Sequence, residues 1–556
     1  MGEKLVFLRR ITTQNSMKKS CCLTLFAVAL LVPICPLFAQ NTTGTDFWVT
    51  FMPNGYEDSF NPGKSLDLTM TSPRPCTGTV SNPQTGWSVD FEVPACEATT
   101  VNIPWEMGLF EEASDTILHN GFHVVSTDDI SLFVSNYREY SADVALVLPT
   151  PLLGSDYVTA MYPHPGSGPG IPHVRTEFSV VAVEDKTWVE LSLTCDSQNG
   201  HVANEPFSVL LNAGECYQVQ SVQWGDLSGS QVTALGGKRV AVFAGNRMAD
   251  IPFYYNTADM VFEQMQPLEN WGRRFVVTGS LERDVDRVRV TAQNDNCDIY
   301  IDGEWGETLG ARETYEFEIT SENPVVYIET SQPALTVLYQ VGYEYDHPSN
   351  LTGDPSMVII PPLEEAVQNA VFPVFTDWHC DMFFLNIVTE TSAISNIRLN
   401  GDVYASQFHE VPGNPSYSYA RIEISPTLAG QMLSSQSGHF VAHTYGMGTC
   451  ESYAFSVGAD YSDPLSVGHS FGPMSIGSFP NPGKDVLNIC ADVAVGQPYN
   501  ARVEVYDLNG RLMHSQALTG NVTPIDVAAW PSGTYVWKVV STDSTTVVET
   551  GKWIKE

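Results

Sequence analysis

A short pattern that is typical of a catalytic serine, GHSFG, stands at 468–472. In a hydrolase the serine of a G-x-S-x-G turn lies between a buried strand and a helix, which together expose its hydroxyl group. The residues around Ser470 are instead rich in glycine, serine and proline, and the next acidic and histidine residues fall in a separate C-terminal segment. We therefore expect no nucleophile here.

Three other groups of residues could bind a ligand, and each has a simpler interpretation. Close carboxylate pairs, which a glycosidase requires, are unavoidable in a chain with 64 acidic residues. The stretch NDNCD (294–298) offers oxygen atoms but lacks the glycine and closing glutamate of a calcium loop. His164 and His173 stand in YPHPGSGPGIPH (162–173), which predicts a surface connection. The sequence thus predicts no catalytic residue, no cofactor and no metal site.

The elements that would position any site are predicted to be strands. Runs of five to eight Val, Thr, Tyr and Phe residues mostly alternate with period two, and no long stretch has a helical period. Glycine (42) and proline (35) separate these runs. We expect an all-β protein of several domains, made of tandem β-sandwich-like modules and a small immunoglobulin-like β-sandwich at the C-terminus.

The first 39 residues read as a secretory signal peptide. A basic start, Met17-Lys18-Lys19, precedes an apolar run over 22–32, and cleavage is expected after Ala39, with Met17 as a candidate start. The run is too short, and too broken by proline, for a transmembrane anchor, and we expect no membrane-spanning segment elsewhere.

The charge excludes two classes of partner. The chain has a net charge of −37, and residues 1–39 carry five basic residues against one acidic residue, so the remainder carries −37 − 4 = −41. A surface of this sign repels nucleic acid and anionic lipid, so we expect neither as a partner.

One pattern recurs about every 100 residues. A polar turn followed by an apolar strand begins its second strand at Ile130, Val240, Leu335 and Phe440. A strand-like piece precedes each of these anchors (66–70, 178–183, 288–292 and 384–388), and an Asp-apolar-Pro segment follows the first three from 143, 259 and 354. We predict four units, 40–150, 151–265, 266–360 and 361–460, and a linker over 461–477.

The cysteines fit this frame of units. Cys76 and Cys96 are 20 residues apart in the first unit, and Cys195 and Cys216 are 21 apart in the second. An exported protein meets an oxidising compartment, so we predict disulfides within these pairs and a third between Cys380 and Cys450, with Cys297 left over.

Several aromatic residues could be buried in the core or could bind a ligand. Burial is the more common fate of such residues, but an exposed set on one face would be a candidate anchor for a glycan or a protein. These residues are Trp48, Tyr56, Trp188, Trp271 and Trp378.

A resemblance to a known family is carried by a series of motifs in order. The motifs are GTDFWVTF (44–51), the segment 143–149, TEFSVVAVEDKTWVEL (176–191), LNAGECYQV (211–219), DLSGSQV…KRVAVFAGN (226–246) and FEQMQPLENWGRRFVV (262–277). This series resembles the N-terminal domain of IgGFc-binding-protein-like proteins, best over about 44–280 and more weakly to 460. The resemblance implies a binding or adhesion module rather than a catalyst.

The C-terminal segment resembles a second family. FPNPGKDVLNI (479–489), VEVYDLNGRL (503–512), IDVAAWPSGTYVWKV (525–539) and GKWIKE (551–556) have the order and spacing of a type A sorting domain of the type IX secretion system. The resemblance implies a Bacteroidota-type cell envelope, export through the periplasm, the secretion machinery as a partner of residues 478–556, and removal of this domain. The residues that match its motifs are Pro480, Asn481, Pro482, Gly510, Gly533, Tyr535 and Lys552.

These observations together predict a secreted or cell-surface protein that recognises a host or environmental glycoprotein or glycan and is not an enzyme. Two alternatives remain open, a secreted carbohydrate-active hydrolase and a passive component of a surface matrix. A deep cleft with two opposed carboxylates would favour the hydrolase.

Overall fold

The computed structural model describes residues 41–55, 63–109, 113–163, 175–253, 255, 257–346, 351–426, 430–461, 475–479, 483–492, 501–518, 522–541 and 547–555. These residues all lie in one contact unit, Ala39–Glu556. The signal peptide, Tyr56, His164, His173, Ser470 and most of the linker lie outside the described residues.

The first part of the chain forms a seven-stranded sheet in the order β4-β3-β7-β2-β5, with β1 and β8 also paired to β7. The 17-residue strand β7 is long enough to pair with two sets of neighbours. Its first half pairs with β1 and β3, and its second half pairs with β2 and β8. The strands are β1 (Gly44–Val49), β2 (Lys64–Thr71), β3 (Cys76–Asn82), β4 (Trp87–Val93), β5 (Ala98–Ile103), β6 (Thr116–Leu118), β7 (Phe122–Arg138) and β8 (Ser141–Val147), and a four-residue helix α1 (Trp105–Gly108) follows β5.

The second part forms two facing sheets, β16-β15-β10-β13-β6 and β12-β11-β14-β9. Alternate residues of β11 are buried, as expected for a strand with one face on a core. The strands are β9 (Asp156–Val158), β10 (Thr176–Ala182), β11 (Thr187–Ser192), β12 (Phe207–Leu211), β13 (Cys216–Gln220), β14 (Gln231–Ala234), β15 (Val240–Asp250) and β16 (Ala258–Gln264).

The third part is a seven-stranded sheet in the order β20-β19-β22-β18-β21, with β17 and β23 also paired to β22. Its strands are β17 (Gly272–Thr278), β18 (Val285–Ala292), β19 (Cys297–Ile301), β20 (Glu304–Leu309), β21 (Thr314–Thr320), β22 (Val325–Gln340) and β23 (Ser356–Ile360), and a short helix α2 (Tyr343–Asp346) precedes β23.

The fourth part has two sheets, β24-β30-β26-β27 and β28-β29-β25-β31-β32. Its strands are β24 (Asn369–Pro373), β25 (Cys380–Glu390), β26 (Ile397–Leu399), β27 (Asp402–Val403), β28 (His409–Val411), β29 (Asn414–Glu423), β30 (Gly430–Ser435), β31 (Phe440–Gly448) and β32 (Glu451–Ser456). Six short 3-10 helices connect strands, at Thr150–Leu152, Leu235–Gly237, Leu268–Asn270, Leu363–Glu365, Thr391–Asn396 and Ala405–Gln407.

The C-terminal domain has two sheets, β33-β34-β37 and β36-β35-β38-β39. Trp537 and Trp553 are buried in its core, between strands that carry alternating apolar residues. Its strands are β33 (Ser475–Phe479), β34 (Val486–Asp492), β35 (Ala501–Asp507), β36 (Leu512–Ala517), β37 (Val522–Asp526), β38 (Gly533–Ser541) and β39 (Val547–Lys555). Strands make up most of the regular structure of the described residues, with few and short helices, and the predicted all-β fold class is confirmed.

The four anchors of the sequence pattern occupy comparable positions in the four parts. Ile130, Val240, Leu335 and Phe440 lie in β7, β15, β22 and β31, and each of these strands pairs with the strand predicted to precede it: β2, β10, β18 and β25. On its other side each anchor strand pairs with an inner strand, β8, β16, β23 or β32.

The inner strands bring the four parts together. β8 lies against β16 and β32, and β23 also lies against β16 and β32, so the four strands form a closed ring. The first described residues also bond to the last residues of the fourth part. The backbone N–H of Thr42 donates to the carbonyl oxygen of Ala459 at 2.9 Å, and the Ala459 N–H donates to Thr42 Oγ1 at 3.0 Å. Residues 41–461 thus form one body, which we call the ring body, rather than independent modules.

Apolar cores cross from each part of the ring body to the next. Met260 and Phe262 of β16 are buried in the core of the first part, and Leu335 and Tyr339 of β22 in that of the second. Tyr445 of β31 enters the core of the third part, and residues of β8 enter that of the fourth. Burial of apolar surface between parts therefore holds the ring together.

The structure corrects the predicted disulfides. Cys76, Cys195, Cys216, Cys380 and Cys450 have free thiols, as does Cys297, so none of the three predicted disulfides is formed. Cys76 is opposite Val93 in β4 and lies in the core of the first part, whereas Cys96 packs with Val371 and Met432 of the fourth part.

The thiols of the other two predicted pairs are also unbonded. Cys216 is the first residue of β13 and is opposite Leu118, whereas Cys195 packs beside Gly225, which lies beyond the other end of β13. Cys380 is opposite Gly448, two residues before Cys450, which is in a turn with a left-handed φ of 51°. The sequence spacing of the cysteines therefore did not predict their bonding.

Candidate binding surface

The aromatic residues singled out in the sequence are mostly buried. Trp48 stacks on His123 with ring centroids 4.2 Å apart, and Trp271 and Trp378 are core residues. Trp188 is 48% exposed. The most exposed aromatic side chain among the described residues is one that the sequence did not single out, Trp305, at 61%.

Trp305 belongs to a straight row of side chains that crosses four strands. It is opposite Tyr300 in β19, Tyr300 is opposite Glu329 in β22, and Glu329 is opposite Arg274 in β17. Directly opposed residues share a face of the sheet. Tyr300 is 36% exposed and Glu329 is also exposed, so this face meets solvent. We call these four residues the aromatic row.

Local sequence fixes the hairpin that presents the two rings. Asp302 and Gly303 have φ values of 51° and 85°, which both central residues of a tight two-residue hairpin turn require. The Asp302 carboxylate accepts the backbone N–H of Tyr327 at 2.9 Å, which ties the turn to β22. Gly413 of the fourth part approaches Asp302 so closely that an added Cβ would lie 2.7 Å from its Cα. The hairpin tip is therefore held from two sides.

Alternation within the hairpin decides which rings are exposed. Ile299 and Leu309 point into the core of the third part, and the neighbouring positions point outward. A register shift between Ile299 and Tyr300 brings Tyr300 opposite Trp305. The result is two aromatic rings side by side on the solvent face.

The electrostatics of the row are set by fixed and flanking charges. Arg274 Nε lies 2.9 Å from Glu364 Oε1, and this hydrogen bond raises the pKa of Arg274 above its usual value. Glu304 and Glu307 are exposed on β20, but they are opposite Ile301 and Ile299 and so lie on the other face of the hairpin. Asp298 is two positions from Tyr300 and shares its face. The row therefore combines two rings, the Glu329 carboxylate and a restrained guanidinium, with Asp298 as a neighbouring acidic residue.

A second exposed tryptophan provides a contrast. Trp188 in β11 is opposite Leu210 in β12, which is 39% exposed. Leu235, 41% exposed, follows β14, the strand on the other side of β11. The cross-strand neighbours of Trp188 are apolar, whereas the aromatic row places Glu329 and Arg274 in line with its two rings.

The carboxylates that come together in the ring body are enclosed rather than open to a substrate. Asp143, Asp259 and Glu451 are fully buried, and Asp354 is 5% exposed. Burial raises the pKa of each of these carboxyls well above its usual value, and mutual repulsion adds to this for Asp259 and Glu451. A glycosidase needs its two carboxyls on either side of an open cleft.

One depression among the described residues of the ring body is too shallow to enclose a ligand. It is lined by Arg283, Asp286 and Arg421 among other residues. Pockets for drug-sized ligands have volumes of about 300–1,000 Å³. Burial raises the pKa of Asp286 to about 6. One carboxyl in this depression does not make the two-carboxyl cleft of a hydrolase.

The NDNCD segment is a structural turn. Asp295 accepts the backbone N–H of Ala311 at 2.9 Å, and the Thr308 hydroxyl donates to Asp298. Within the described ranges, no group of three or more His, Cys, Asp or Glu side chains is arranged to hold a metal ion. Likewise, no helix in the described part of the chain has the length and apolar character needed to cross a membrane.

The residues matched to the sorting motif have structural roles where they are described. The Gly510 N–H donates to the Asp507 carbonyl at 2.9 Å in the turn between β35 and β36. The Tyr535 hydroxyl donates to the Pro531 carbonyl at 2.7 Å, while Gly533 opens β38 and Lys552 is opposite Val536. Pro480, Asn481 and Pro482 lie outside the described residues.

Family comparisons agree with this division into a ring body and a C-terminal domain. The ring body carries the exposed aromatic row, and the C-terminal domain forms its own two sheets. The model of the family described as "IgGFc binding protein" matches residues 143–446, more than half of the 556-residue chain, so the chain belongs to this family. The model described as "Secretion system C-terminal sorting domain" matches 478–556. The protein is therefore exported to the cell surface or released.

Solved structures give only distant likenesses. Latent PorU from Porphyromonas gingivalis is 13% identical with a TM-score of 0.14, and the alignment covers 57% of this chain and 31% of PorU. Domains FN1-FN3 of chicken CNTN1 are 9% identical (TM-score 0.13, 50% of this chain and 99% of that one). The BSP domain of a biofilm associated protein is 8% identical (TM-score 0.14, 77% of each chain). These scores carry no argument about function, and no curated protein matches the chain.

Proposed function

We propose that the protein is an exported adhesin-type binding protein that recognises a glycan or glycoprotein through the aromatic row, and that it is not an enzyme. The observation that carries this proposal is the exposure of Trp305 (61%) directly opposite Tyr300, beside Glu329 and Arg274. Exposed aromatic rings next to fixed polar groups are typical anchors of a binding interface.

The membership of a binding family and the sorting domain support the same proposal. The hydrolase alternative lacks support in the described residues, because the carboxyls that come together are shut inside the ring body. A passive matrix component would not need two aromatic rings exposed beside a restrained Arg–Glu pair.

The experiment is a binding titration of the purified full chain on immobilised glycoproteins, native and enzymatically deglycosylated. Saturable binding should be lost in a Trp305→Ala/Tyr300→Ala variant and kept in Trp188→Ala, the matched control on another exposed sheet. Binding unaffected by the double substitution would refute the aromatic row as the site. Release of free sugar from the glycoprotein would support the hydrolase instead.

A further inference from the structure

The chemistry of the aromatic row also restricts the class of ligand, and this step rests on the proposed function. We propose that the row binds a neutral, flat, β-1,4-linked oligosaccharide segment that lies across the strands, and that it discriminates against anionic glycans. Four features of the described residues support this assignment.

The two rings match the apolar face of a sugar. Trp305 and Tyr300 lie side by side on one face, and the C–H faces of pyranose rings pack on such aromatic surfaces. Adjacent strands are about 4.8 Å apart, so the four side chains span about 14 Å, the length of about three linked sugar residues. A straight row across a sheet suits a chain whose successive rings lie flat, as in β-1,4 linkage.

The other end of the row offers a hydrogen-bond acceptor beside a donor. Glu329 is exposed and is opposite Arg274, whose Nε is held by Glu364 at 2.9 Å. Vicinal hydroxyl groups of a sugar can donate to the carboxylate and accept from the guanidinium. Because Glu364 restrains Arg274, less conformational entropy is lost when the ligand binds.

The hairpin that carries the two rings is acidic. The hairpin 297–309 contains Asp298, Asp302, Glu304 and Glu307 and no lysine, arginine or histidine. The whole chain carries −37, so a sialylated or sulfated glycan meets repulsion both on approach and at the row. A neutral glycan is not subject to this repulsion.

The Trp188 row lacks these features. Its cross-strand neighbours Leu210 and Leu235 are apolar, so it has no second aromatic ring and no guanidinium in line with the tryptophan. This contrast makes Trp188→Ala a control for the general effect of removing an exposed tryptophan.

The first test is calorimetric titration of the full chain with neutral chito- and cello-oligosaccharides of two to six residues. Affinity should rise up to about three residues and then level off, and Trp305→Ala should weaken it at least tenfold while Trp188→Ala leaves it unchanged. Trp305 is 61% exposed, so circular dichroism and the melting temperature should match those of the parent. Equal loss in both variants, or no dependence on Trp305, would overturn the assignment.

The second test compares the same backbone with and without sulfate. The sulfated form should bind at least tenfold more weakly at low salt, and an Asp298→Asn variant should reduce this difference. Preferential binding of the sulfated form would contradict the proposal. If glycoprotein binding depends on Trp305 but no neutral oligosaccharide binds, the ligand class is wrong while the proposed function stands; if neither binds, both fail.

Discussion

The carboxylate of Asp143 in β8 accepts the backbone N–H of Met357 in β23 at 3.2 Å, across 214 positions of the chain. The same carboxylate accepts the N–H of Phe262 in β16 at 3.3 Å and of Ala454 in β32 at 3.4 Å. One side chain thus bonds to the inner strands of the other three parts, which makes Asp143 the hub of the ring body.

Replacement of Asp143 by alanine should destabilise the ring body. The change leaves four buried N–H donors without their acceptor, those of Val144, Phe262, Met357 and Ala454, and each such loss costs about 1–3 kcal/mol. We expect the free energy of unfolding, measured in urea, to fall by at least about 3 kcal/mol. The exposed Asp377→Ala variant is the control and should stay within about 0.5 kcal/mol. A similarly small effect at Asp143 would show that the hub does not hold the parts together.

The stability of the ring body should decrease as the pH rises. Burial raises the pKa values of Asp143, Asp259, Asp354 and Glu451, and raises that of Glu365 to about 8. In the unfolded chain these carboxyls ionise near pH 4, so the folded state binds more protons and its stability is lost as the pH rises towards the folded pKa values.

One buried histidine lowers the stability of the ring body as the pH falls, which is opposite to the effect of the carboxyls. Burial lowers the pKa of His443 to about 3, so its contribution to stability is lost only below the unfolded value of about 6.5. Thermal melts at pH 6.5 and 9 avoid the histidine, and the melting temperature should be lower at pH 9, where buried thiols that ionise only in the unfolded chain add to the effect of the carboxyls. A Glu451→Gln/Glu365→Gln variant should reduce the difference; an equal or higher melting temperature at pH 9 in the parent would contradict this account.

The cysteines should be free. In denaturant without reductant, an alkylating reagent should modify Cys76, Cys195, Cys216 and Cys297 fully, because none of these four is in a disulfide. In the native protein the reaction should be slow, since burial raises the pKa of Cys76 to about 11 and of Cys216 to about 12. Peptide mapping that finds Cys76 linked to Cys96 would restore the pairing predicted from spacing.

The C-terminal domain should act in export and not in binding. A deletion of 478–556 should leave the protein in the periplasm, whereas the intact chain should reach the surface or medium and lose this domain there. Mass spectrometry of periplasmic and surface fractions measures both outcomes. A truncated chain that reached the surface as efficiently as the parent would show that the domain is not the export signal.

Part of this structure could be predicted from the sequence and part could not. Period-two alternation and turn residues gave the strands, and the anchors Ile130, Val240, Leu335 and Phe440 do begin or lie within comparable strands. The hub was not predictable, because the bonds of Asp143 join residues more than 100 positions apart. The sequence pattern also did not show that β32 is the fourth inner strand. Glu451 stands there where the first three Asp-apolar-Pro segments have an aspartate.

The binding surface was missed for a different reason. In CDIYIDGEWGETL (297–309) the alternate residues that point to each face include apolar or aromatic ones. The pattern therefore does not show which face of the hairpin is buried. Ile299 is buried and Tyr300 is exposed only because the core of the third part lies on one side of the hairpin. The Asp302-Gly303 turn was the available signal, since it predicts that Tyr300 and Trp305 are near opposite each other.

Hydrogen exchange of the full chain, with and without a bound glycoprotein, locates the binding surface most directly. The account predicts slower exchange in peptides that cover β19 and β20 (297–309), and no change in peptides that cover β11 and β12 (187–211). Protection confined to 187–211, or to residues far from Trp305, would contradict the claim that this row is where the protein binds.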